Sequence, residues 1–483
     1  MPPALPADPG PSRPWIPYAA IAAAVVAAYA NAAGASFQFD DWNVIVDEPR
    51  VGGLAAWWAA MPGIRPLLKL SYALDNAAGW GAGGFHVVNV AIHLANSWLV
   101  FALFAGAGRG AGRAGRGAAL AGALVFALHP VQTEAVTYVS GRSNALMALL
   151  ALASVLAWSG GEARGPGGAR FACGCRVAAP VLFAAALLVK ETAAVLPLAL
   201  LLLAATVFPG RAARSMAPHV AVLGAAAVAA LASPTYRRLL VTSLEARGIG
   251  ANLLTQAHGV TYLMGQMVRL DRLNADPMLP VVDGWTPHVA GEAAIIVALI
   301  ALGVATIRRR PALAFGILWF FVWLLPTNSF LPRLDVVNDR QIYLALAGPA
   351  WLLARAVGMI AANRGPFVAL APALVLAAGL GAATHARNRV YADEVRFWED
   401  VARKSPRNGR AFNNLGYALA LASRDDEAEA ALLAALAIDP NDVCAAVNLR
   451  LLREGALAPA RPRPGALPGP DLVPGASPPE PRR

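Results

Sequence analysis

Two adjacent carboxylates, Asp40 and Asp41, stand in the segment Phe39-Asp40-Asp41-Trp42, directly after the first apolar run. A carboxylate at a membrane face is costly to place, and it can act as a base or hold a cation. A solvated loop pair is the bland alternative. Four further polar constellations interrupt the apolar background. Arg65-Pro66-Leu67-Leu68-Lys69 precedes Phe85-His86-Val87-Val88-Asn89 and His93. His86, Asn89 and His93 fall at i, i+3 and i+7, on one helix face. Two histidines are too few for a metal, so packing and hydrogen bonding is the better reading of that stripe. His129-Pro130-Val131-Gln132-Thr133-Glu134 leads to Ser140-Gly141-Arg142-Ser143. It reads as an interfacial helix that brings Glu134 and Arg142 close to the membrane. Lys190-Glu191-Thr192 separates two apolar runs, where a cation can pair with other charges or hold a phosphate at the membrane surface. Pro332-Arg333 and Asn338-Asp339-Arg340-Gln341-Ile342-Tyr343 open another apolar run and set Arg340 at the depth of a lipid headgroup.

The elements that position these groups follow from composition. Of 483 residues, 57% are hydrophobic and 14% charged, and the mean hydropathy is +0.52. Soluble domains run near 45–50% apolar and about a quarter charged. A soluble fold of this chain would lack the charge to cover its surface, and disordered chains are poor in apolar residues. The expectation is an all-α polytopic membrane bundle of about 11 spans. They lie near residues 15–36, 85–105, 118–128, 145–158, 177–189, 193–208, 218–232, 289–307, 313–326, 342–362 and 367–384. Residues 1–14 form a leader, the membrane domain covers 15–384, and the long loops are 37–84 and 233–288. The stretch 253–270 reads as an amphipathic or re-entrant helix on the outer face.

Orientation comes from arginine. Arg109, Arg113 and Arg116, then Arg164, Arg170 and Arg176, then Arg211 and Arg214, then Arg308, Arg309 and Arg310, then Arg364 fall in alternate loops. That is the positive-inside pattern. The net charge of +11 is therefore an orientation signal and not a nucleic-acid face. All five constellations then share the outer side. The Ala/Gly/Arg-rich composition suits a bacterial inner membrane, with the C-terminal region in the periplasm. No cleavable signal peptide is expected. Cys173, Cys175 and Cys444 offer neither an ordinary disulfide nor a metal site. Carboxylates to deprotonate a hydroxyl, and cations to stabilise a departing phosphate, are what sugar transfer from a lipid phosphate requires.

Residues 385–456 are expected to form a tetratricopeptide-repeat-like helical domain. Residues 409–442 make one 34-residue unit. Phe412, Leu415 and Gly416 sit where its first helix needs bulk, bulk and a small residue. Ala428, Leu432 and Ala435 sit where the second helix packs back, and Pro440 ends the unit. Pro406 and Trp398 repeat Pro440 and Leu432 at the same period, so 393–405 reads as a preceding half-repeat and 443–453 as a cap. Residues 457–483 are Pro-rich and read as disordered.

The ordered set FDDWNVI, RPLLKLSYALDN, FHVVNVAIHLAN, HPVQTEAVTYVSGRSNAL, KETAAVLPLALLLL and VVNDRQIYLALAGP, with the repeat tail, resembles the transmembrane and tetratricopeptide-repeat O-mannosyltransferases. The wider class is the GT-C-fold glycosyltransferases. The likeness covers about residues 15–450, and the tail departs from it by carrying about one full repeat where animal members carry many. The resemblance implies a GT-C-like bundle and inverting transfer of a monosaccharide from a polyprenyl-phosphate donor to a protein or glycan hydroxyl. It makes Asp40 and Asp41 catalytic, with Asp40 favoured as base or acceptor-orienting group and the reverse assignment open. It implies Lys190, Arg142 and Arg340 for the donor phosphate, and His129, Glu134, Arg65 and His86 for pocket or acceptor contacts. No cofactor is implied, and a divalent metal is not generally needed in this class. No P-loop motif occurs, which fits a lipid-linked donor. Two other functions compete: a membrane scaffold recruiting a protein partner through the repeat, and a transporter, which would need internal repeats and mid-span ionisable residues.

Overall fold

The computed structural model describes residues 14–457 apart from 62, 108–111, 162–167 and 210–212. Arg109, Arg164 and Arg211, residues 1–13 of the leader and the tail 458–483 lie outside the described residues. Every regular element among the described residues is helical. Alanine and leucine dominate the apolar runs and carry no side-chain group that competes for the backbone, so long helices are the favoured outcome. Prolines mark many of the breaks. Pro66, Pro234, Pro287, Pro311 and Pro366 each sit in the first turn of a helix, where the missing N–H costs nothing.

Among the described residues, six helices are long and apolar enough to cross a membrane: Ile16–Gly34, Gly81–Ala107, Val139–Gly160, Ala172–Val189, Pro287–Thr306 and Pro366–Tyr391. Three bent pairs raise the number to as many as 9. Ala114–Leu128 with Pro130–Val136 bends by 48°, Ala217–Ala232 with Pro234–Ala246 by 85°, and Asp339–Ala345 with Ala347–Arg364 by 47°. The other two apolar helices, Glu191–Thr206 and Pro311–Leu324, are shorter. Against the expectation of about 11 spans, six to nine candidates among the described residues meet this test of length and composition. Apolar helices occur at all the expected places, but two fall short and three belong to pairs bent at His129, Ser233 and Leu346. The outer stretch expected at 253–270 forms the helix Ile249–Gln266, which lies outside the span candidates.

Only 17% of the apolar window of Pro287–Thr306 is buried, so most of that helix's hydrophobic surface faces outward, as lipid contact requires. Contacts between helices rely on small residues, as is usual where lipid removes the hydrophobic drive for association. A Cβ at Gly122 would stand 2.7 Å from the Ala350 carbonyl oxygen and 2.8 Å from Ala354 Cβ. One at Gly348 would run into the Gly316 carbonyl. These approaches close Gly112–Leu128 and Pro311–Leu324 onto Ala347–Arg364.

The chain divides into two compact units, Met1–Asn408 and Gly409–Arg483. The helix Glu394–Lys404, the half-repeat of the sequence reading, belongs to the first. In the second, Gly409–Leu421 and Asp425–Ile438 form an antiparallel hairpin, followed by Val443–Arg453. Gly416 packs under Leu432: an added Cβ would meet Leu432 Cγ at 2.6 Å. Asp442 caps the last helix through the Ala445 N–H at 3.0 Å.

Candidate functional site

The acidic pair is held by the far end of the first unit. The Ser36 N–H donates to the Ala392 carbonyl at 3.2 Å, and Gln38 Nε2 to the Tyr391 carbonyl at 3.3 Å. Phe39 takes a left-handed φ of 45°, which a bulky residue adopts only where its surroundings impose it. Its ring packs edge-on against Trp398, with centroids 5.2 Å apart. Trp42 Nε1 donates to Glu394 Oε1 at 2.8 Å. Together these contacts fix the backbone on both sides of Asp40-Asp41.

The two carboxylates then diverge. Asp41 is fully buried. Its Oδ1 accepts from the Ser140 N–H at 2.7 Å and from Ser140 Oγ, and its Oδ2 accepts from the Gln38 N–H at 3.0 Å. Burial pushes its carboxyl up to about 7, with the Ser140 and Gln38 hydrogen bonds opposing. The Asp40 carboxylate is 41% exposed. Its backbone N–H donates to the Tyr138 hydroxyl at 3.0 Å, and Arg340 Nη2 stands 3.9 Å from Oδ2.

Arg340 joins three of the constellations. Its backbone N–H donates to Glu134 Oε2 at 2.9 Å, its Nε lies 3.6 Å from Glu134 Oε1, and its guanidinium carbon sits 5.4 Å from the Tyr138 ring centroid. The preceding Asp339 is pinned by Gln266 Nε2 at 3.2 Å and the Asn274 N–H at 3.0 Å. Arg340 also lines a narrow cleft with Asn144, Thr192, Trp323 and Gln341. Asn144 Nδ2, Thr192 Oγ1, Trp323 Nε1 and both amide atoms of Gln341 are buried there without a protein partner. Buried polar groups are normally paired, so this cleft presents donors and acceptors suited to a polar ligand.

Lys190 reaches the same cleft wall, donating to Asn144 Oδ1 at 2.8 Å and Ser143 Oγ at 3.3 Å. Burial lowers its proton affinity well below the usual lysine range, and Arg65, Arg340 and Arg333 lower it further. Burial, with Arg340 next, pushes Arg333 down to about 10. Arg65 is tied to Glu191 by Nε at 3.0 Å and Nη2 at 2.8 Å, and the Tyr236 hydroxyl donates to the same carboxylate at 3.2 Å. Four cations therefore share one neighbourhood. A bound anion would relieve their mutual repulsion.

Three expected site residues, Arg142, His129 and His86, are buried. Arg142 is fully buried. Its Nε donates to Asn89 Oδ1 at 2.6 Å, Nη1 to the carbonyl and hydroxyl of Ser71, and Nη2 to the Phe85 carbonyl at 3.0 Å. Nη2 also pairs with Asp75 Oδ2 at 2.6 Å. Fully buried and held by these contacts, the guanidinium is engaged within the fold. His129 is buried and structural: Nδ1 accepts from the Val131 N–H at 3.2 Å, and Nε2 meets the Met267 carbonyl at 3.0 Å. His86 is 1% exposed, and neither of its ring nitrogens has a hydrogen-bond partner. Further along the same stripe, His93 bridges the Tyr343 hydroxyl and the Ala127 carbonyl, at 2.8 and 2.9 Å.

Tyr138, Ser140 and Arg333 are contributors that the sequence reading did not select. Arg333 had a signal, its place in the same constellation as Arg340. The sequence reading also expected no metal ligands, whereas His258, His288 and Glu292 come together away from the constellations. His288 and Glu292 sit at i, i+4, a spacing that was legible.

Fold and site together define an integral membrane protein whose polar centre, exposed carboxylates among clustered cations, lies where apolar helices end. Over part of its length the chain is similar to TMTC proteins. It is 30% identical to protein O-mannosyl-transferase TMTC4 of Homo sapiens over 163 residues, which are 29% of this chain and 22% of that protein. It is 33% identical to Tmtc1 of Drosophila melanogaster over 132 residues, 24% and 15% of the two chains. It is 32% identical to TMTC2 of Mus musculus over 149 residues, 28% and 17%. Both relatives are likewise named protein O-mannosyl-transferases. The matched stretch thus spans less than a quarter of the length of each relative. No protein-family model matches the chain.

Proposed function

We propose that the chain is a GT-C-type membrane glycosyltransferase. It moves a monosaccharide from a polyprenyl-phosphate donor to an acceptor hydroxyl, on protein or glycan, at the outer face of its membrane. In a bacterial inner membrane that face is the periplasmic one. The observation that carries the proposal is the exposed Asp40 carboxylate held 3.9 Å from Arg340. A general base must be open to its substrate, and Asp40 is open where Asp41 is sealed.

In the proposed reaction Asp40 takes the proton of the acceptor hydroxyl. The freed oxygen attacks the anomeric carbon from the side opposite the phosphate. The bond from that carbon to the phosphate oxygen breaks, and the polyprenyl phosphate departs with the electron pair, so the configuration inverts. Arg340, Lys190 and Arg333 offset the charge on the leaving phosphate. Asp41 holds the loop, Glu134 positions Arg340, and the unpartnered groups of the cleft are suited to sugar hydroxyls. The names of the relatives make mannose the first sugar to try. Purified chain in lipid vesicles should transfer mannose from polyprenyl-phosphate mannose to a Ser/Thr peptide, with the anomeric configuration inverted in the product. Transfer from a nucleotide-mannose alone, or with retention, would refute the proposal.

The hairpin of the second unit fits a tetratricopeptide-like module in its helix order and in the Gly416–Leu432 contact. It is suited to engaging a protein partner or the acceptor.

A further inference from the structure

His258 lies on the helix Ile249–Gln266, and His288 and Glu292 lie on the first two turns of Pro287–Thr306. His258 Nδ1 stands 2.8 Å from Glu292 Oε1, and His288 Nε2 stands 3.2 Å from the same oxygen. Thr261 Oγ1 donates to that oxygen too, at 2.8 Å. Three neighbours thus crowd Oε1, which has two lone pairs. The other oxygen, Oε2, is buried with no partner, in a glutamate only 8% exposed. As a hydrogen-bond network this arrangement is unbalanced. It gathers every contact on one carboxylate oxygen and leaves its twin empty in a place where an unmade bond is costly.

We propose that His258, His288 and Glu292 bind a divalent transition-metal ion of the zinc type. All three ligand atoms lie within 4.8 Å of one another. Tetrahedral zinc needs its ligands at about 2.0–2.2 Å, hence about 3.3 Å apart, so small side-chain rotations bring them to bonding distance. The ion takes the two imidazole nitrogens as neutral ligands and either carboxylate oxygen, Oε2 included. Thr261 remains as the group that orients the carboxylate, the usual outer support of a metal ligand. Two imidazoles and one carboxylate are a donor set that suits zinc, and magnesium or calcium far less. His288 is largely exposed, so water fills the fourth position.

Such an ion would clamp an outer helix to a span. The clamped helix supports the wall that carries the site's arginines: Gln256 Nε2 donates to the Val336 carbonyl at 3.2 Å, and Gln266 Nε2 to Asp339 at 3.2 Å. The metal site itself does not rest on the transferase reading.

The test uses the full chain in detergent, purified through a tag without histidine, stripped with EDTA and dialysed against micromolar Zn²⁺. Metal per chain and the shift in Tm on adding zinc are measured for wild type, His258→Ala and His288→Ala. The expected result is about one zinc per wild-type chain, with affinity at least about tenfold weaker in both variants, and a rise in Tm confined to wild type. His288 is exposed, so His288→Ala keeps the fold and reports on binding alone. Equal zinc in wild type and His288→Ala, or no zinc on wild type, overturns the proposal.

Discussion

Arg340 Nη2 lies 3.9 Å from Asp40 Oδ2, although the two residues come from opposite ends of the first unit. The arginine is fixed from behind, because its own backbone N–H holds Glu134 at 2.9 Å. The side chain, held between Glu134 and the Tyr138 ring, lies beside Asp40 and lines the cleft. Arg340→Ala should lower kcat/KM for sugar transfer by about 10²–10³. Arg340→Lys should recover only part, since a lysine cannot reproduce the planar fork. Steady-state kinetics with the lipid-phosphate donor decides this, and full activity in Arg340→Ala would remove the arginine from the site.

Asp41 gives a pH dependence of stability. Its carboxyl rises from 3.8 in the unfolded chain to about 7 in the fold, so the folded state binds the extra proton between those values. Its contribution is fully present below 3.8 and is lost as pH rises through about 7. The Tm of wild type should therefore fall between pH 5 and pH 8 by more than that of Asp41→Asn, which has no proton to lose. Parallel curves would count against a buried carboxyl at this position.

Arg142 separates structure from ligand binding. Removing it leaves Asp75 buried without its partner, a loss of about 3–5 kcal/mol. Arg142→Ala should be unstable in thermal unfolding. A phosphate ligand would behave otherwise: KM for the donor would rise while Tm held.

The helix Glu394–Lys404 was read from its period as part of a repeat, yet Trp398 packs on Phe39 and Glu394 accepts from Trp42. Truncation after Asn408 should therefore keep transfer to a short peptide. Trp398→Ala, which empties a buried position at about 3–5 kcal/mol, should lose it. If the truncated chain were inactive and Trp398→Ala active, a scaffold acting through the second unit would be the better description.

What was legible in the sequence divides along physical lines. Apolar runs declare themselves residue by residue, so the helical membrane class and the place of each apolar helix could be read. Where a helix breaks depends on the tertiary support given to freed backbone groups, and the 47–85° bends could not be read. Asp40, Lys190, Glu134 and Arg340 stood out because charge beside a span is costly. The same cost singled out Arg142, whose partners Asp75 and Asn89 come from other helices. A local pattern does not tell a buried ion pair from an open cation. His258 and Glu292 meet only because two helices cross, and nothing in either segment announces the other.

The most direct measurement is a comparison of Asp40→Asn with wild type in reconstituted vesicles, following donor binding and sugar transfer separately. If Asp40 is the base, the variant should bind the polyprenyl-phosphate sugar as wild type does while kcat falls by about 10²–10⁴. Unchanged kcat, or loss of donor binding with turnover preserved, would contradict it.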